Sequence, residues 1–165
     1  MTTIFVIGIL LFLAYVIVSI AKFGVPSSLS ETYYKWGGKP QGYVFTAAMW
    51  LTVFCIAPLW FSVSKDWATF SVFFAAGGLL LVGAAPIFKE QDKGWHSVFA
   101  IICAVFATLW QFLHCQFWEV PLFATVFFAI AYRTDTLKLC KTFWLELTAF
   151  CSTFLSILIC TISQS

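Results

Sequence analysis

The residues able to do chemistry are few, and most fall on two helical faces and one loop. Thr142, Glu146, Ala149, Thr153, Ser156 and Cys160 recur at alternating steps of four and three, which places them on one face of a helix. Glu146 falls about one turn inside an apolar run. An ionisable group within a spanning helix faces the protein interior or a water cavity. Glu146 with Thr153 and Ser156 therefore has the chemistry of a proton carrier, a ligand anchor or a pore lining. The plainer alternative is a carboxylate that reaches the interface and pairs with Lys141 or Lys138. His96, Ala100, Cys103, Ala107, Gln111 and His114 form a second face. The two imidazoles are eighteen residues apart, five whole turns, so they point the same way but sit about 27 Å apart along the axis. They cannot ligate one metal ion. Each could serve a different mouth of one pathway, or rest hydrogen-bonded at an interface. Gln111, deeper in, suits a bond to a neighbouring helix. Asp92 and His96 are spaced D-x-x-x-H, one turn apart if helical and then suited to a metal or an acid–base pair. Gly94 between them argues instead for a turn, with a helix starting at Trp95.

The elements that must position these groups follow from composition. The 165-residue chain is 62% hydrophobic and 10% charged, against about 25% charged in a soluble domain. So much apolar surface needs lipid as its solvent. The fold class expected is all-α: one polytopic transmembrane domain over 1–165, a compact bundle of six spanning helices with short connections. A span takes about 20 apolar residues. Runs at about 3–21, 42–63, 67–88, 95–116 and 142–161 meet this, and a shorter one covers about 118–133. Ile4–Ala21 has no basic residue before its apolar core and no small-residue cleavage site after it, so it reads as a retained helix. Lys22, Lys35, Lys39, Lys89, Lys93, Arg133, Lys138 and Lys141 fall on alternate connections if 118–133 crosses, leaving Lys65 alone of the nine basic residues on the other side. The positive-inside rule then puts these connections in the cytoplasm and both termini outside the cell membrane. A net charge of +2 and the absence of a Lys/Arg run give no footprint for nucleic acid.

The first connection contains Ser28-Leu29-Ser30-Glu31, a capping box in which Ser28 accepts from the Glu31 amide while Glu31 reaches back to the Ser28 amide. With Gly37-Gly38 as a stop, it predicts a short cytoplasmic interfacial helix, Leu29–Trp36, with Leu29, Tyr33 and Trp36 on one face against the bilayer or the bundle. Ser71, Ala75, Gly78, Val82 and Ala85 form a small-residue face that predicts a packing seam. The six cysteines mostly lie singly in apolar runs with no C-x-x-C, and read as small hydrophobes rather than a disulfide or metal framework. No metal or other cofactor is expected.

Ser28, Ser30, Glu31, Asp92, Asp135 and Glu146 share the cytoplasmic side in this topology, a polar mouth if folding gathers them. The Ser-rich segment and the Asp92/His96 pair faintly resemble parts of the site in membrane-embedded zinc hydrolases of the alkaline ceramidase type. That set combines a Ser, an Asp and three His, with H-x-x-x-H in a late helix. Here there are two histidines, no H-x-x-x-H and no histidine in the last helix, so no site carries over and no family is assigned. The leading expectation is a channel, transporter or sensor that binds or passes a small solute, ion or lipid, with Glu146, Thr153, Ser156, His96, Gln111 and His114 as ligand- or pore-lining candidates. Six helices leave little private interior, so an oligomer interface is the expected place for a path. One alternative is a membrane-embedded hydrolase or transferase using Asp92, His96 and Glu146; another is a structural anchor within a larger complex.

Overall fold

The computed structural model describes residues 1–88, 95–114, 122, 124–126, 129, 133 and 140–164. Helices α1 (Thr2–Phe23), α2 (Glu31–Lys35), α3 (Tyr43–Val63), α4 (Thr69–Phe88), α5 (Trp95–His114) and α6 (Lys141–Gln164) follow in order, with a 3-10 turn at Asp66–Ala68 before α4. No strand occurs among the described residues. Five of these helices are long and apolar enough to cross a membrane: Thr2–Phe23, Tyr43–Val63, Asp66–Ala85, Trp95–His114 and Lys141–Gln164. Most of the segment 118–133 lies outside the described residues; 122, 124–126, 129 and 133 are helical. The outward faces are apolar, with Leu10, Ile17, Phe54, Phe73 and Ile101 all more than half exposed. That is the pattern a bundle presents to lipid.

The long helices α1, α3, α4 and α5 run antiparallel each to the next, as the cross-contacts show. Tyr15 of α1 meets Phe45 of α3 (ring centroids 6.4 Å apart). The Trp50 indole of α3 donates to the Leu80 carbonyl of α4 at 3.0 Å, and Thr46, one turn earlier, donates to Gly83 at 2.8 Å. Phe74 of α4 stacks on Phe106 of α5 at 4.8 Å. Small residues set these approaches. A Cβ on Gly8 would lie 2.6 Å from Cys55 Cβ, and one on Gly78 would lie 2.9 Å from the Cys103 amide nitrogen. The face Ser71–Ala75–Gly78 is thus a seam inside the chain, with Ser71 and Ala75 fully buried.

The bundle has two distinct ends. At one, the basic end, the α6 Phe143 N–H donates to the Ser27 carbonyl of the first connection at 3.0 Å. At the other, the Lys65 N–H donates to His114 Nδ1 at 3.2 Å, the Trp110 indole donates to Ser64 Oγ at 2.8 Å, and the Gln164 amide donates to the Val63 carbonyl at 3.0 Å. So α6 starts at the basic end and finishes at the opposite one, parallel to α3 and α5. His114 and Cys140 consequently stand at opposite ends.

The first connection folds onto the bundle rather than away from it. Its helical turn is shorter than the predicted Leu29–Trp36, with bend and turn residues on both sides. Leu29 and Tyr33 are buried, and Trp36 donates to Ser19 Oγ at 3.5 Å with Lys22 Nζ over its ring. Of the faces open to these residues, the bundle side is the one occupied. The turn closes as the Gly pair predicts. Gly38 N–H donates to Tyr33 O and Gly37 N–H to Tyr34 O, a Schellman motif whose αL residue is Gly37 at φ 109°. The cysteines depart from expectation at one position: Cys160 is disulfide-bonded, while Cys55, Cys103, Cys140 and Cys151 are free.

Candidate functional site

Between α3, α4, α5 and α6 lies a cavity of about 100 Å³. Phe45, Met49, Ile56 and Trp60 line it from α3 at steps of four, seven and four, one face over ~22 Å of helix, so the cavity is a slot along the bundle axis. Ala75, Leu79 and Val82 come from α4, and Ala100, Cys103, Ala104 and Ala107 from α5. Glu146, Ala149, Phe150, Thr153 and Phe154 come from α6, while Leu29 and Ser30 of the first connection cover the basic end. Alanines on α5 and α6 leave the space that larger side chains would fill. The cavity is not sealed, since Ala104 in its wall is exposed. It lies within one chain.

Glu146 is the one ionisable carboxylate in this wall among the described residues. Its Oε2 accepts a hydrogen bond from the Leu29 N–H at 2.7 Å. No lysine or arginine among the described residues pairs with it, so the expected Lys141 alternative is replaced by a backbone amide. Lys138 lies outside the described residues. The amide is available because Leu29 sits just before α2, where a backbone N–H has no helical partner. The connection is held there from both sides. Cys140 Sγ and the Phe143 N–H point at the Val25 and Ser27 carbonyls. On α1, the Tyr15 hydroxyl bonds Thr32 Oγ1, which itself donates to the Leu29 carbonyl, so the tyrosine is the donor.

Thr153 shares the wall, as its azimuth predicts. Ser156 and Gln111 face each other instead and do not line the cavity. Gln111 Oε1 accepts from Ser152 at 2.7 Å and Ser156 at 3.1 Å, and its amide donates to Thr153 Oγ1 at 3.2 Å. This clamp between α5 and α6 is buried and fully bonded. His114 is buried at the end opposite Glu146, accepting from Lys65 and stacked on Trp110 at 5.3 Å. His96 is half-buried at the start of α5. Asp92 and Asp135 lie outside the described residues. Among the described residues, no group of three His, Cys, Asp or Glu side chains converges to hold a metal.

Ser28 and Glu31 belong to the cap. The Glu31 N–H donates to Ser28 Oγ at 3.2 Å as expected, but Glu31 Oε2 takes the Ser27 amide rather than that of Ser28, and Lys35 Nζ stands 3.7 Å from Oε1. Partial burial pushes the Glu31 carboxyl up. The Ser27 hydrogen bonds and the Lys35 charge outweigh it and leave the group below the usual carboxylate range. Sequence reasoning missed the Leu29 amide and the aromatic walls Phe45, Phe150 and Trp60. It also missed that the Trp60 indole N–H, 3% exposed in the same wall, has no acceptor among the described residues. The apolar periodicity of α3 held the signal for the wall, but not for what stands opposite. Compared with known proteins, the chain matches no family model, no curated protein and no solved structure.

Proposed function

We propose that the chain is a six-span integral membrane protein that binds or passes a small solute through the cavity beside Glu146. The observation that carries this reading is a carboxylate placed in an otherwise apolar internal slot and met there by one backbone amide. A carboxylate inside a spanning helix is costly and is retained where it faces a cavity or a partner. A structural ion pair would account for it, but no cationic partner stands beside it among the described residues. One chain holds the slot, so the reading needs no second subunit.

In this reading 118–133 is the sixth span, because α5 ends and α6 begins at opposite ends of the bundle. The basic end lies in the cytoplasm and both termini lie outside, in the cell membrane. Two independent arguments agree on this orientation. Lys22, Lys35, Lys39 and Lys141 all belong to the end that the positive-inside rule assigns to the cytoplasm. The disulfide-bonded Cys160 belongs to the last turns of α6, at the end where an oxidising compartment would preserve it. The short helix α2 then sits at the cytoplasmic interface as the cover of the slot.

Filling the slot tests this reading. A ligand that binds only the native state raises its melting temperature in proportion to occupancy. Small solutes of positive, zero and negative charge are screened by thermal shift against the purified chain and an Ala149→Leu variant that places a larger side chain in the wall. At least one solute class stabilises the wild type and leaves the variant unmoved. Stabilisation of both alike, or of neither, removes the slot as a binding site.

A further inference from the structure

We infer that the solute taken by this slot is a small organic ammonium ion, a short-chain or methylated amine in its protonated form. The inference rests on the reading of the slot as a solute site and names its ligand class. Charge comes first. Among the described residues, Glu146 is the one carboxylate in the wall, and no Lys, Arg or His lines it. An anion would meet a carboxylate and no counter-charge. A neutral solute can donate a hydrogen bond to that carboxylate but leaves its charge unpaired in an apolar slot. Oε2 is occupied by the Leu29 N–H, while Oε1 receives no hydrogen bond from any described residue. An ammonium N–H supplies the missing donor and the missing charge together, forming a charge-assisted hydrogen bond.

Desolvation separates an organic from an inorganic cation. Hard metal ions replace their water with about six or more oxygen ligands. The other hydroxyls of this wall are already committed. Thr153 Oγ1 donates to the Ala149 carbonyl at 2.9 Å and accepts from Gln111, and Ser30 Oγ bonds Ser28 Oγ at 3.1 Å. Apart from the Trp60 indole N–H and the Cys103 thiol, the rest of the wall is hydrocarbon and aromatic ring. Alkyl groups on nitrogen suit such a wall, whereas a bare ion would lose its hydration for nothing. Phe150 stands four residues after Glu146, one helical turn along the same face. A cation held on the carboxylate is then within reach of a ring face, an attraction that grows when water is excluded.

Size sets the upper limit. An apolar cavity of about 150 Å³ holds benzene, and this one measures about 100 Å³. A molecule of roughly five heavy atoms fits inside without rearrangement.

The test uses the full chain in lipid nanodiscs and four probes: propylammonium, 1-butanol, butyrate and sodium. The first three are unbranched chains of about four to six heavy atoms and differ in charge. Binding is read by calorimetry and by ligand-observed NMR. Propylammonium binds saturably, about tenfold or more tighter than 1-butanol, since pairing a buried charge exceeds the 1.4 kcal/mol of one decade. Butyrate does not bind, and sodium does not displace the amine. Glu146→Gln, which keeps an acceptor for the Leu29 amide, weakens the amine about tenfold or more and leaves 1-butanol unchanged. Ala149→Leu abolishes both, and it carries the test with the wild-type probe series if the glutamine variant fails to fold. Equal binding of amine and alcohol, preference for butyrate, or displacement by sodium overturns the ammonium assignment while the slot stands. Failure of every probe, with wild type and Ala149→Leu alike, overturns the slot itself.

Discussion

At position 111 a single side-chain amide joins two helices. Its oxygen accepts from Ser152 and Ser156 and its nitrogen donates to Thr153, all in a region from which water is excluded. Between spanning helices such bonds average about 0.6 kcal/mol and reach about 1.7 kcal/mol. Gln111→Leu removes three of them and leaves two serine hydroxyls without that acceptor. The expected loss is on the order of 1–2 kcal/mol of unfolding free energy, measured by reversible denaturation in mixed micelles. No change in midpoint would mean that the serines find equal partners elsewhere and that the clamp does not hold α5 to α6. The glutamine was legible as an inter-helix bond from its depth and apolar surroundings. Its partners were not, because the serines and threonine face it from a helix some forty residues away.

Among the elements, α1 and α3 approach closely, and Gly8 is the reason. A Cβ at this position would sit 2.6 Å from Cys55 Cβ, with Ile56 Cγ2 at 3.3 Å. Cys55 Cβ cannot rotate away without moving the helix, since a Cβ is fixed to its backbone. Gly8→Ala therefore pushes the two helices apart or strains them, at a cost of about 1–3 kcal/mol. The same substitution at Gly77, which meets nothing within 4 Å, is the control and costs nothing by contact. Measured stabilities of the two variants decide the point; equal values would show that the close approach does not limit packing. The α4 seam, by contrast, was readable from its spacing alone, since a face of Ser, Ala and Gly has few uses other than close approach in lipid.

For the whole molecule, the expected arrangement is six crossings with the basic connections inside. Cysteines introduced singly at positions 2 and 164, in a background free of the native exposed thiols, should label with a membrane-impermeant reagent from outside intact cells. A cysteine at position 39 should label only after permeabilisation. Protection of positions 2 and 164 from outside would invert the orientation, and opposite labelling of the two would mean an odd number of crossings. The eight-to-one division of basic residues depends on the crossing of 118–133. The antiparallel contacts of α1, α3, α4 and α5 and the parallel placement of α6 put the start of α1 and the end of α6 at the same end of the bundle.

Composition and the 3.6-residue period were enough to determine the helical class, five helices long and apolar enough to cross a membrane, the shared face of Glu146 and Thr153, and the Ser28 half of the capping box. These are local properties, fixed by hydrophobic length, helix geometry and hydrogen bonds between residues a few positions apart. Only the tertiary structure decided what each face meets. Period tells which residues share a side, not which helix lies across from it, and in lipid the choice among neighbours rests on shape and on single hydrogen bonds. So the docking of the first connection onto α6 could not be read from the chain. Nor could the replacement of a lysine by the Leu29 amide as the partner of Glu146, or the slot that the α5 alanines and α3 aromatics enclose.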